Sequence, residues 1–231
     1  MKMNLRLITF ALLSLAMTSA PSMAAKQPYT EKLAERVGTA QFVLDLIMMD
    51  AKTTIPRDLL REAKGIIILN QHRGGFIFGG QGGNGVMIIR NPQSGQWGAP
   101  GFVIAGQASF GLQAGYTEVN NVYLLMTNEA VTKAYSSRFD IGADAKAVAG
   151  PVGTTADTFD KNTAPVLAYT TSSGLFAGAT VKGGWIKVDD KANKAFYNTN
   201  YSSPEVLLST WLRVPPPAQP LMARLKAYEN E

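Results

Sequence analysis

Residues 65–89 read GIIILNQHRGGFIFGGQGGNGVMII, and the fold turns on how this stretch is interpreted. Ile66–Leu69, Phe76–Phe78 and Val86–Ile89 are short β-branched or aromatic runs separated by glycine and polar residues. Runs of that length bounded by turn residues predict β-strands. More than half of the chain's 22 glycines lie between Gly74 and Gly115, mostly inside or beside such runs. Glycine within a strand marks a bulge, a barrel corner or the close approach of another backbone. The segment Gly79–Gly85 does not fit a nucleotide cradle, because no Lys-Ser or Lys-Thr follows it and the next element is a strand. It predicts strongly bent strands and a flexible glycine-rich loop.

Outward from this stretch, Phe102–Phe110, Leu112–Val119 and Val122–Met126 continue the series of strands, with a turn at Asn91–Gly95. Upstream, Leu33, Val37, Ala40, Leu44 and Ile47 keep the spacing of one helical face, so a helix capped by Thr30 is expected to about Asp50. A second helix has Pro56 in its first turn and Gly65 as its left-handed cap. Downstream, a helix is expected from Asn128 to Tyr135, then a long surface loop over 138–161. Strands Val166–Thr171 and Leu175–Val188 are joined by a tight turn at Ser172-Ser173-Gly174, and a turn at Asp189–Asn193 leads to a short strand Ala195–Tyr197. Ser203 caps a helix over Pro204–Leu212, and Pro215–Pro217 stiffens the link to a last helix over 220–229. The fold class is α+β: an antiparallel β-barrel core of about eight strands with helices on its surface and flexible Gly-rich loops, closure removing exposed edges.

With 231 residues, 46% hydrophobic and 17% charged, the chain suits one globular domain with appendages and excludes a disordered or collagen-like polymer. Residues 1–24 carry Lys2 and Arg6, an apolar run from Leu7 to Met17 and small residues before Ala25, the pattern of a secretory signal peptide. The run is shorter than the roughly 20 residues that cross a bilayer. Cleavage after Ala24 lowers the 22 basic residues to 20 against 17 acidic ones, a net charge of +3. The expected location is the periplasm. The organisation reads as 1–24 signal peptide, 25–50 N-terminal helix region, 51–212 main domain and 213–231 Pro-rich linker with a C-terminal helix. The absence of cysteine excludes disulfides, thiolate chemistry and a lipid-modified N-terminal Cys.

Catalytic chemistry is thin. His72 is the single histidine, read as a loop residue, and Arg73 beside it disfavours a bound cation. Asp140 with Asp144, and Asp189 with Asp190, lack calcium-loop spacing and sit where Asp favours turns. Ser172-Ser173-Gly174 lacks the flanking glycines of a nucleophile elbow. The chain therefore reads as no enzyme, with no cofactor and no metal. Its basic residues are not concentrated as a nucleic-acid binder requires.

The ordered set Ala63-Lys64-Gly65-Ile66, Gly83-Asn84-Gly85-Val86, Arg90, Trp97-Gly98-Ala99-Pro100, Gly150-Pro151-Val152-Gly153, Tyr169 and Gly174-Leu175-Phe176-Ala177-Gly178 resembles the SYLF domain family over roughly residues 50–210. The resemblance implies a β-barrel with surface helices, no catalysis, and binding of phosphoinositides or other anionic phospholipids. Some eukaryotic members bind actin; for an exported bacterial protein actin is an unexpected partner, and the accessible lipids are those of the cell envelope. Lipid binding needs cations near loop tips. Lys64, Arg73, Arg90, Lys161, Lys182 and Lys187 are the basic residues in or beside the Gly-rich loops and late strands. The function expected is weak, non-enzymatic binding of anionic phospholipid at the envelope; the alternative is an envelope scaffold that binds another protein.

Overall fold

The computed structural model describes residues 28–75, 78–110, 115–136, 138–141, 148–149, 164–174 and 184–230. The signal-peptide segment 1–24, Lys161 and Lys182 lie outside the described residues.

The chain opens with α1 (Tyr29–Met49), which buries Leu33, Val37, Ala40, Val43, Leu44 and Ile47. These include every position of the predicted apolar stripe. Thr30 lies inside the helix, with Pro28 in front of it and no side-chain cap. After α2 (Arg57–Glu62), Gly65 begins β1 (Gly65–Gly75) and does not form a left-handed cap. Then come β2 (Phe78–Ile89), β3 (Gly101–Phe110), β4 (Gly115–Leu125) and α3 (Asn128–Ser136). The remaining elements are β5 (Phe139–Asp140), β6 (Val148–Ala149), β7 (Val166–Gly174), β8 (Trp185–Val188), α4 (Asp190–Tyr197), α5 (Ser203–Leu208) and α6 (Gln219–Asn230).

All the strands lie in one curled sheet ordered β5-β8-β3-β2-β1-β4-β7-β6. Seven of them pair antiparallel, and the two-residue β6 joins β7 in parallel. Because β4 returns to lie beside β1, the first four strands form a Greek key. The closed barrel expected from the sequence is not confirmed: among the described residues no pairing joins β5 to β6, and the described strands form a curled half-barrel.

Several expected breaks are strand interiors. Gly79–Gly85 is no flexible loop but part of β2, in register with Leu69–Gly75 of β1. A Cβ on Gly85 would overlap the carbonyl oxygen of Ile68, and one on Gly83 would lie 2.6 Å from the Gln71 Cα. Here glycine serves the close approach of two backbones. Asn120 and Asn121 continue β4 instead of breaking it, and Ser172-Ser173-Gly174 pairs with β4 instead of turning. The loop expected over 138–161 contributes two edge strands, β5 and β6. The strand expected at Ala195–Tyr197 is the end of α4, which Asp189 starts by accepting a hydrogen bond from the Ala192 N–H.

One half of the sheet is apolar on both faces. Ile66, Ile68, Val86, Ile88, Phe102, Val122 and Leu124 meet α1 and α6 on one side. On the other, Ile67, Leu69, Met87, Val103, Tyr123 and Val166 meet Ala130, Val131 and Ala134 of α3 and Leu207 of α5. Burial on both faces explains the unbroken run Ile66–Leu69, since alternate residues point to opposite sides. Each such side chain contributes about 1.5–3 kcal/mol relative to exposure. Arg36 ties α1 to the rest: Nη1 donates to Asp189 Oδ2 at 3.1 Å and Nη2 to the Val103 carbonyl at 3.0 Å. At the other end of the helix pair, Tyr228 of α6 donates to Asp45 of α1 at 2.6 Å.

Candidate functional site

Beyond Leu69 the central strands turn polar. Alternation divides their side chains between the two faces. On the α1 side, Asn70 Nδ2 donates to Glu118 Oε1 at 2.6 Å and to Asn120 Oδ1 at 2.8 Å, while His72 lies opposite Glu118. His72 is thus an exposed strand residue and not a loop residue. On the α3 side, Asn121 Nδ2 donates to Gln71 Oε1 at 2.7 Å and Thr170 Oγ1 donates to Asn121 Oδ1 at 2.8 Å. Gln71, Asn120 and Asn121 are all buried, so these bonds offset a desolvation cost of about 1–3 kcal/mol per group left unpaired.

Arg73 extends from the same face as Gln71. Its Nε and Nη2 donate to Gln81 Oε1 at 3.2 and 3.0 Å. It is half-buried and forms no ion pair with any described residue. Thr117, opposite Arg73 on β4, is buried, and its hydroxyl has no hydrogen-bond partner among the described residues.

The other predicted cations do not gather around Arg73. Lys64 is exposed just before β1, nine residues and about 30 Å of strand away. Lys187 is exposed on β8 opposite Ile104, which puts it on the other face of the sheet. Arg90 has a different task. Its guanidinium donates to the carbonyls of Leu60, Ala63 and Gly95, pairs with Glu229 and stacks 4.0 Å above the Trp97 ring. It bolts α2, the 91–95 turn and α6 to the sheet, and its charge is compensated by Glu229.

The carboxylates singled out in the sequence are engaged as well. Asp189 caps α4 and pairs with Arg36; Asp190 accepts from the backbone N–H and the hydroxyl of Ser203; Asp140 pairs with Arg138 at 2.9 Å. Asp144 lies outside the described residues. No group of three metal-ligating side chains occurs among the described residues. Burial pushes the Tyr169 hydroxyl up to about 12 and raises Tyr123 and Tyr197 too, so none of these ionises near neutral pH. The large exposed side chains include Phe42, Met49, Leu208 and Trp211.

Gln81 and Thr117 are the members of the Arg73 environment that sequence reasoning missed. The signal was the alternation Thr117, Val119, Asn121 in β4, which places these residues on one face once β4 is read as a continuous strand.

The family model described as "Ysc84: Las17-binding protein actin regulator" matches residues 106–228. In Saccharomyces cerevisiae, LAS seventeen-binding protein 3 is 34% identical over 194 residues, covering 81% of this chain and 42% of the yeast protein. Protein YSC84 of the same organism is 33% identical over 192 residues, covering 80% of this chain and 40% of its own length. The chain belongs to the Ysc84, or SYLF, family. A human SYLF relative, SH3 domain-containing YSC84-like protein 1, is 27% identical over 187 residues, 77% of this chain and 53% of the human protein. The chain thus spans about half the length of these relatives or less. No solved structure matches the chain. The family description and the name of LAS seventeen-binding protein 3 speak of binding and regulation, and no printed name states a reaction; with actin regulation in the family description, the expectation that actin is an unlikely partner has no support.

Proposed function

We propose that this SYLF protein is an exported, non-enzymatic module that binds anionic phospholipid weakly at the periplasmic side of the cell envelope. The observation that carries the reading is that Lys64, Arg73 and Lys187 make no ion pair among the described residues, whereas the half-buried Arg36 and Arg90 are matched with Asp189 and Glu229. An uncompensated cation near an anionic bilayer is worth about 1 kcal/mol. Because the three cations occupy different ends and faces of the sheet, only part of that attraction acts in any one orientation, and the binding is weak. The test is sedimentation with vesicles of graded phosphatidylglycerol content in phosphatidylcholine. Binding that rises with the anionic share and falls with salt supports the reading; equal binding to neutral vesicles, or none, overturns it. The periplasmic location rests on residues 1–24, and N-terminal sequencing of the protein from a periplasmic fraction, starting at Ala25, checks it.

A second reading, an envelope scaffold for another protein, is favoured by Trp211, 66% exposed beside the 44% exposed Leu208. Exposed tryptophan is a frequent anchor of protein interfaces. The name of the yeast relative LAS seventeen-binding protein 3 also describes protein binding. Cross-linking in intact cells that gives one dominant protein adduct and no lipid adduct favours this scaffold role over the first.

A further inference from the structure

We infer that the α3-side face of the polar half-sheet holds one tetrahedral oxyanion of the phosphate class, gripped by Arg73, Thr117 and Gln81. This deepens the phospholipid reading and rests on it only for the source of the anion.

Three observations converge on the site. First, the charge of Arg73 is unbalanced. Among the described residues three arginines are half-buried, and only Arg73 lacks a carboxylate. Glu118 follows Thr117 in β4 but points to the opposite face, where Asn70 holds it at 2.6 Å. Second, the Arg73 fork is already oriented. Gln81 Oε1 accepts from the Nε and Nη2 edge, which leaves Nη1 and the second Nη2 hydrogen as a parallel pair of donors. That end of a guanidinium matches two oxygens of a phosphate. With its oxygen occupied, the Gln81 amide keeps its N–H donors.

Third, Thr117, 3% exposed and directly across the β1–β4 ladder from Arg73, has a buried hydroxyl without a partner among the described residues. Side chains opposite one another in an antiparallel pair stand about 5 Å apart at Cβ, so one anion can touch both. A buried hydroxyl left unpaired is unfavourable unless a ligand or an ordered water completes it. Of the neighbouring amides, Asn121 donates to the Gln71 oxygen at 2.7 Å, and Gln71, like Gln81, keeps its N–H donors for the same face. The face thus presents a cation, a hydroxyl and an amide N–H, with no carboxylate among the described residues to repel an anion. An oxyanion satisfies all three at once.

The test compares the full protein with Arg73→Gln and Thr117→Val, using inorganic phosphate as the probe at constant ionic strength set with chloride. Phosphate is expected to raise the melting temperature of the parent, because a ligand that binds only the folded state stabilises it. Arg73→Gln should abolish the rise. Thr117→Val should weaken phosphate binding about tenfold through loss of one hydrogen bond, while melting no lower than the parent without phosphate. Equal effects of phosphate and chloride on the parent, or a full phosphate response in Arg73→Gln, overturn the site. Phosphatidylglycerol vesicles then separate the sources of the anion. Vesicle binding that phosphate competes away assigns the site to a headgroup. Phosphate binding without vesicle binding keeps the site and defeats the phospholipid reading. Vesicle binding indifferent to phosphate and to Arg73→Gln, in a parent whose melting temperature phosphate does not raise, defeats the site and leaves the phospholipid reading standing.

Discussion

Residues 65–69 and 70–73 belong to one uninterrupted strand, paired on both sides by the same two neighbours, yet their surroundings are opposite. The first half buries isoleucine and leucine on both faces beneath helices. The second half carries amides, an imidazole and a guanidinium, and it holds together through side-chain hydrogen bonds across strands. A continuous backbone ladder therefore joins a scaffold to a chemically addressable surface without any change of secondary structure. Side chains alone mark the border.

The largest expected effect comes from the point where β1 and β2 approach each other. Gly85→Val should cost at least about 4 kcal/mol, or prevent folding, because its Cβ would meet the Ile68 carbonyl. Gly82→Ala, on the same strand with no atom within 4 Å of the new Cβ, should stay within about 0.5 kcal/mol of the parent. Urea denaturation of both reads the difference, and similar losses would remove close approach as the reason for glycine at position 85.

Next comes the contrast between two arginines. Arg90→Gln should lose about 3 kcal/mol, since it strands the half-buried Glu229 carboxylate and three backbone carbonyls. Arg73→Gln should change stability by no more than about 0.5 kcal/mol in phosphate-free buffer, having no ion pair among the described residues to break. If both lose the same amount, the division into structural and unmatched cations fails.

Within the polar half, Asn121→Ala should cost about 1–3 kcal/mol by leaving the Gln71 oxygen and the Thr170 hydroxyl unpaired. A neutral result would mean that water replaces the amide freely and that this half is more open than its burial implies.

The smallest effect lies outside the sheet, at the start of α5. The Ser202 hydroxyl and backbone N–H hold the Glu205 carboxyl below its usual range. A folded pKa below the unfolded one means stability that is present above the unfolded value and is lost as pH falls through the folded one. The melting-temperature gap between the parent and Ser202→Ala should therefore narrow on acidification. A gap that is constant across the acid range would exclude the carboxylate from the cap.

Periodicity made the apolar half legible. The spacing of Leu33 to Ile47 and the unbroken Ile66–Leu69 each specify burial directly. The polar half was misread because Asn120-Asn121 and Ser172-Ser173-Gly174 have turn chemistry. Strand partners override it: Asn121 is satisfied by Gln71 and Thr170, which only sheet register brings near. α4 was hidden for a related reason, since Asp189 suits a turn and a helix cap equally well, and the burial of Ala192 and Asn193 decides between them. Charge was legible at Arg73 and Arg90 alike, but not its compensation. The partners of Arg90 come from three separate segments of the chain, and the carboxylate that Arg73 lacks is a property of one face of the sheet.

The Greek-key return of β4 to β1 also bears on how the protein assembles. β1 can pair with β2 as soon as that hairpin exists, but its other edge stays vacant until Gly115–Leu125 has been synthesised. Closing a loop of that length is entropically slow compared with forming a hairpin. Until then an apolar strand edge at Ile66–Leu69 is open to pairing with other chains. Once the key closes, the amides of Ile66–Leu69 lie between two ladders, and their hydrogen exchange reports opening of the entire molecule. Those of the edge strand β5 exchange through local fraying.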